Sequence, residues 1–126
     1  SQRPQQEHFL ERGSHYHQLW PHRTAMPADL KGEKSRFSAF IPGASNLNEL
    51  LKRRGLNTLI ITGTLTNVCC ESTARDAMQM NYRVLFIEDA TAAQTPAEHN
   101  AAVANMRSTF GEVLTAKQLI ATLQES

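Results

Sequence analysis

The sequence predicts an α/β fold of three αβα layers around a parallel sheet. Two observations carry that prediction. Short β-branched apolar runs, "TLIIT" and "RVLFI", alternate with amphipathic helical segments from residue 45 onward. Each run is also bounded by a glycine, a cap or a polar turn at the position where a strand would hand over to a helix. Strands so short, joined by helices, imply right-handed crossovers and helices on both faces of the sheet.

The elements follow in order. Ser45 is placed to cap a helix whose Leu47, Leu50 and Leu51 share one face, and Gly55 sits where a left-handed C-terminal residue belongs. "TLIIT" then reads as a strand buried on both faces and ended by Gly63. A loop, "GTLTN", leads to a helix in which Cys70, Ala74 and Ala77 make one buried stripe. Glu71 and Arg75 pair across one turn of that helix. Asn81 stops the helix, and "RVLFIEDA" is a second buried strand. Thr95, Pro96 and Glu98 form a capping box with proline at the first helical position, opening a helix that buries Ala102, Val103, Met106 and Phe110. A short strand holds Val113 and Leu114. Thr115 and Gln118 cap a last helix that buries Leu119, Ile120 and Leu123.

Residues 1–30 show no such periodicity and read as loop, with the aromatic and histidine cluster "HYHQLWPH" inside them. The 126 residues suit one domain, and a formal charge of +1 gives no basic field for nucleic acid. No apolar run approaches the roughly 20 residues that cross a bilayer. The two cysteines are adjacent, a spacing that makes a strained and useless bridge, so the expected setting is reducing and cytoplasmic.

Ligands of such sheets bind beyond the carboxyl ends of the strands, and "GTLTN" lies at such an end. A helix start carries unpaired N–H groups and a partial positive charge. That environment favours a thiolate, and the same N–H groups can hold an oxyanion once sulfur attacks a carbonyl. Cys70 falls in the apolar stripe and reads as packing. Cys69, one step earlier, faces the open end of the strand and is the candidate nucleophile. A cysteine in this position is also commonly an inert core residue, and composition and spacing do not choose between the two.

The stretch "TGTLTNVCCESTARDAMQMNYRV", with "DATAA" after it and "EKSRFSAFIPG" and "LLKRRGLNTLIITG" before it, resembles the cysteine hydrolases of the isochorismatase-like superfamily. The resemblance runs from about residue 13 to the C-terminus. It implies a sheet of order 3-2-1-4-5-6 and a triad of cysteine, lysine and aspartate. Cys69 matches the cysteine and Lys34 the lysine. It further implies a non-proline cis peptide joining Thr64 and Leu65, with the backbone N–H groups of Leu65 and Cys69 forming the oxyanion hole. Thr66, Asn67 and Phe40 are candidates for contact with substrate, although Thr66 could equally bond the backbone nearby and Phe40 could simply pack.

The third triad member has no match. Nothing in residues 1–33 resembles the family's aspartate segment, and Asp29, the single aspartate there, stands in the approach to the lysine. The expectation is therefore one domain over residues 1–126, N-terminally incomplete, without the family's strands one and two. "TLIIT" would then show an apolar edge, and the chain alone would not form a stable, active monomer.

The function so implied is hydrolysis of a non-peptide C–N bond in a small amide or carbamoyl compound through a cysteine thioester. The alternatives are an isochorismate-type vinyl ether hydrolase, against which Cys69 argues, and an inactive fragment or assembly subunit of the same fold. The chemistry calls for no cofactor and no metal; His15, His17 and His22 lack a matching carboxylate. The implied partners are a small-molecule amide substrate and further copies of the chain in a homo-oligomer, with neither nucleic acid nor membrane.

Overall fold

A computed structural model describes Gly32 and residues 34–125. The cluster "HYHQLWPH", with His15, His17, Trp20 and His22, and also Asp29 lie outside the described residues. Helix α1 (Leu47–Arg53) leads to strand β1 (Thr58–Thr64), a π-helical turn (Thr66–Cys70) and helix α2 (Glu71–Gln79). Strand β2 (Arg83–Ala92), helix α3 (Pro96–Asn105), a second π-helical turn (Met106–Phe110), strand β3 (Glu112–Leu114) and helix α4 (Ala116–Glu125) follow. The strands pair in parallel, in the order β1-β2-β3.

Local chemistry accounts for most of the boundaries. Thr95 Oγ1 accepts the Glu98 N–H at 3.2 Å, and Pro96 opens α3. At α4 the cap is reciprocal: Thr115 Oγ1 accepts from the Gln118 N–H at 3.1 Å, and Gln118 Oε1 accepts from the Thr115 N–H at 2.9 Å. Asn81 and Gly55 take left-handed φ values of 70° and 67° where α2 and α1 end. At α1 the expectation needs correcting by one residue. Asn46 holds the cap position without a side-chain bond, while Ser45 Oγ accepts the Leu47 N–H at 3.2 Å from just outside it.

One face of the sheet carries Leu59, Ile61, Val84, Phe86 and Val113, by register and alternation. They join Cys70, Ala74, Ala77, Val103 and Met106 in the main core, where Phe86, Ala74, Ala77 and Met106 are fully buried. Two alanines on one stripe let α2 lie close to the strands. Met106 is likewise fully buried, and Phe110 packs partly buried against the same core.

The opposite face carries Ile60, Leu85, Ile87 and Leu114, and here two expectations fail. β1 is not buried on both faces: its residues alternate between exposed and half-buried, and Ile60 is 45% exposed. Among the described residues β1 is an edge strand, paired with β2 alone. α4 likewise buries no residue fully; Leu119 is half-buried, and Ile120 and Leu123 are exposed. The physical reason is common to both. α4 contacts β2 and β3, so it covers Leu85 and Ile87 and leaves β1 open on that side.

The sheet also has an irregularity that shapes its carboxyl end. Ile61 pairs with Phe86, but Gly63 pairs with Thr91, so β2 carries an excursion at Glu88, Asp89 and Ala90. Gly63 has φ 108°, a conformation that favours glycine, where the register breaks. Thr91 Oγ1 donates to the Ile87 carbonyl at 3.1 Å and closes the excursion. Its side chains are used outward: Asp89 accepts the Ala116 N–H at 2.7 Å, and Glu88 pairs with Arg107 at 3.1 Å. Asp89 of "DATAA" thus fastens the start of α4.

Gly111 is fixed by proximity rather than by φ, since its backbone is extended. A Cβ there would lie 2.8 Å from the Val84 carbonyl oxygen and 3.1 Å from Val84 Cβ and Cγ1. Gly111→Ala is expected to destabilise the fold by about 1–3 kcal/mol, the scale of overpacking. Urea unfolding would read this as a lower midpoint at unchanged slope. An unmoved midpoint would mean that β3 can slide away from β2 at no cost.

Candidate active site

β1 ends at Thr64, and the peptide bond from Thr64 to Leu65 is cis. The expected loop "GTLTN" is therefore nearly absent. Gly63 and Thr64 belong to the strand, Leu65 is extended, and Thr66 and Asn67 already lie in the π-helical turn. The Leu65 carbonyl organises that turn by accepting N–H groups from Val68 at 3.2 Å and Cys70 at 3.1 Å. A π-helical turn widens the spacing of side chains, and here Thr66 and Cys70 point inward, fully or nearly buried, while Cys69 is half-buried between them.

The two thiols have different surroundings. Cys70 is 5% exposed, and its sulfur meets the Thr62 carbonyl at 3.8 Å. Burial, with a smaller contribution from neighbouring Cys69, pushes the Cys70 thiol up from its ordinary 9.0 to about 11, against a smaller opposing pull from Lys34. Cys69 instead faces Lys34, whose Nζ lies 3.9 Å from its sulfur. Both cysteines are free.

Lys34 is held there by the segment that follows it. Its backbone bridges Ser45 in an isolated antiparallel pair, and the Ser35 N–H reaches the Ala44 carbonyl at 3.1 Å. Further along, Ser38 Oγ donates to Asp76 Oδ2 at 2.5 Å, and the Ala39 N–H donates to Thr73 Oγ1 at 3.0 Å, both on α2. Phe40 is 4% exposed and packs against Tyr82 with ring centroids 5.4 Å apart. Ser38 and Phe40 fasten the segment to α2 and the core. The Lys34 Nζ also donates to the Arg36 carbonyl at 2.9 Å, which leaves the ammonium over Cys69.

Two candidates for substrate contact are buried and have partners within the fold. Phe40 belongs to the core and offers no open surface. Thr66 has no exposure, and its Oγ1 lies 2.9 Å from Nδ1 of His99 on α3. Its hydrogen-bond partner is a histidine 33 residues on rather than the loop backbone nearby. Asn67 keeps its candidacy: its Oδ1 is buried and has no hydrogen-bond partner among the described residues. No carboxylate among the described residues bonds to Cys69 or to Lys34, and Asp76 and Asp89 are engaged with Ser38 and Ala116. Away from the thiols, an open groove of 580 Å³ runs between Arg36–Ile41 and the outer side of α2.

Sequence reasoning missed His99, Ser38 and Asp76. The signal for the last two was present, since Ser38 sits inside a recognised motif. His99 carried none, because an isolated histidine on a helix does not announce a contact 33 residues away.

The Cys70 shift has a consequence for stability. An unfolded Cys70 loses its proton near 9.0, whereas the folded thiol keeps it to about 11. The contribution is therefore complete below pH 9 and is lost as pH rises to about 11, by roughly 2–3 kcal/mol. Urea midpoints measured from pH 8 to 11 should fall, and Cys70→Ala should fall less steeply over the same interval. Parallel slopes for the two proteins would show that Cys70 is not the group responsible.

With this geometry in view, comparison with known proteins is informative. The isochorismatase domain matches residues 1–118. The chain is 36% identical over 113 residues to the ureidoacrylate amidohydrolase RutB of Variovorax paradoxus (strain S110), covering 89% of this chain and 44% of that protein. It is 38% identical over 108 residues to the ureidoacrylate amidohydrolase RutB of Caulobacter vibrioides (strain ATCC 19089 / CIP 103742 / CB 15), covering 85% and 47%. The cysteine hydrolase from Pseudomonas syringae pv. phaseolicola 1448A superposes with a TM-score of 0.89 at 28% identity, over 97% of this chain and 62% of that one. The isochorismatase-like hydrolase from Alkaliphilus metalliredigens gives 0.82 at 32% identity, over 88% and 60%. The chain spans about half the length of the curated relatives it matches. A domain match across nearly all of its residues, on a parallel α/β sheet with the same architecture, makes this chain a member of the isochorismatase family.

Proposed function

We propose that this chain supplies the nucleophile of an amidohydrolase that cleaves a non-peptide C–N bond in a small amide or carbamoyl compound. The observation that carries the reading is the 3.9 Å approach of the Lys34 ammonium to the Cys69 sulfur at the carboxyl end of β1. The names of the ureidoacrylate amidohydrolase relatives support a ureido or amide carbonyl as the electrophile.

In this reading the Cys69 thiolate attacks the carbonyl carbon, and a C–S bond forms as the carbonyl oxygen takes the negative charge. The N–H groups of Leu65 and Cys69 hold that oxygen, and the Lys34 ammonium favours both the thiolate and the oxyanion. The intermediate collapses, the C–N bond breaks, and the amine or ammonia leaves with a proton. Water then attacks the thioester, the C–S bond breaks, and the acid is released with the thiol restored. The proton transfers call for a carboxylate, the aspartate of the family resemblance, which the described residues do not supply. Asn67 Oδ1, buried and unpartnered among the described residues, is assigned to an N–H of the substrate.

A cytoplasmic setting and a homo-oligomer belong to the same proposal. Two unbridged thiols fit the first, and exposed apolar surface at Ile60 and Ile120 gives a second copy something to cover. No helix among the described residues is long and apolar enough to cross a membrane.

The second reading, a catalytically silent subunit, is favoured by the lack of a carboxylate bonded to Cys69 or Lys34 among the described residues. A vinyl ether hydrolase is favoured by nothing in the site. One experiment separates the first two: ammonia release from a panel of ureides and primary amides, with mass analysis of quenched reactions. Turnover, an adduct on Cys69 with the mass of the acyl part (substrate less its amine or ammonia), its loss in Cys69→Ala, and a fall of roughly 10²–10³ in Lys34→Met are expected. Turnover that survives Cys69→Ala would overturn the thioester route. No turnover and no adduct across the panel would favour the silent subunit.

A further inference from the structure

Thr66 opens the turn that carries Cys69, and its side chain is fully buried. A hydroxyl in that position needs a partner, because a buried polar group left unpaired costs more than a made bond gains. It finds one in a different element, Nδ1 of His99 at 2.9 Å. The end that His99 occupies is itself firmly held. The His99 N–H donates to the Thr95 carbonyl at 3.1 Å, Thr95 caps α3 through the Glu98 N–H, and Ala102 and Val103 bury the same helix in the core. The turn itself packs against α3 and β1 and runs on into α2, but its polar contacts to other elements are few among the bonds described. Its carbonyl anchor at Leu65 is internal, and the Cys70 sulfur contact to Thr62 is long, at 3.8 Å. The Thr66–His99 bond is thus a short, directional tie between the turn and a neighbouring helix.

We propose that His99 is a positioning residue for Cys69. Through the Thr66 hydroxyl, its Nδ1 fixes how the turn is seated, and with it the direction of the Cys69 sulfur toward Lys34. This rests on the reading of Cys69 as the nucleophile. The bond does not depend on the charge of the ring. A hydroxyl donates to a bare Nδ1 and accepts from a protonated one, so the tie holds in either state. What it requires is a hydrogen-bonding atom at the place of Nδ1. Asparagine puts its amide there; glutamine, one methylene longer, puts it nearer the place of Nε2.

The test is the second-order rate at which iodoacetamide alkylates Cys69 in the folded chain, located by peptide mapping, beside urea midpoints for each variant. His99→Ala should slow alkylation roughly three- to tenfold, the scale of one hydrogen bond. His99→Asn should restore the parent rate and His99→Gln should not. Thr66→Val should match His99→Ala, and the double variant should be no slower than either single one, because both remove one tie. If His99→Ala does not fold, the Asn and Gln variants carry the same comparison.

Parent-like alkylation in His99→Ala or His99→Gln would overturn the inference. So would equal slowing by Asn and Gln that tracks lost stability, since that is what a purely structural histidine predicts. The readout needs no turnover, so the two readings fail separately. A slowed thiol in a chain that hydrolyses nothing keeps the tie and removes the hydrolase. Turnover with an indifferent thiol does the reverse.

Discussion

The turn from Thr66 to Cys70 sets the terms for everything around it. It must bury its first and last side chains while leaving the sulfur of Cys69 reachable. An ordinary α-helical start would place successive side chains about 100° apart. The wider π-helical spacing instead gives the Leu65 carbonyl two N–H donors and spreads Thr66, Cys69 and Cys70 around a larger circumference. Thr66 reaches α3, Cys70 reaches the sheet, and Cys69 is left toward Lys34. The excursion in β2 serves the same end, since it lets β2 follow β1 to Thr64 after the register has broken.

The same turn explains why two adjacent cysteines behave differently. Their chemistry is identical and their separation is one residue, so the difference lies wholly in what each faces. Cys70 faces a closed apolar core, which penalises its charged form. Cys69 is half-buried and faces the Lys34 ammonium at 3.9 Å. Lys34 reaches Cys69 because the segment behind it is fixed at several points: Ser38 on Asp76, Ala39 on Thr73, and Phe40 in the core. An ammonium on a free loop would spend most of its time in water. The short "KSRFSAF" motif therefore couples one chemical group to a packing device.

What the sequence disclosed depended on range. Caps, stops and stripes are written in residues a few positions apart, and these were legible: the Thr95 and Thr115 caps, the left-handed Asn81, the Cys70–Ala74–Ala77 stripe, the Glu71–Arg75 pair at 2.8 Å. Cys69 and Lys34 could be named from motif resemblance, while their approach to 3.9 Å across 35 residues could not be read from spacing. Phe40 shows the limit most clearly. Its apolar ring suits a pocket wall and a core equally well, and only the position of Tyr82 decides between them. His99 and Gly111 are illegible for the same reason, because each answers to a neighbour in another element.

Apolar patterning can also be right about a residue and still mislead about its burial. "TLIIT" carries isoleucine on both sides of the strand, which is how a chain encodes cover on both faces. On one side Leu59 and Ile61 join the core. On the other, Ile60 stands beside buried Leu85 yet is 45% exposed, because α4 reaches only β2 and β3. Ile120 on α4 is 54% exposed for a related reason: no described element lies beyond it. Burying one such side chain is worth about 1.5–3 kcal/mol, a large share of the marginal stability of a small domain. Ile60 and Ile120 forgo that gain, so the same apolar pattern that fills the core on the Leu59 and Ile61 side of β1 contributes little on the other.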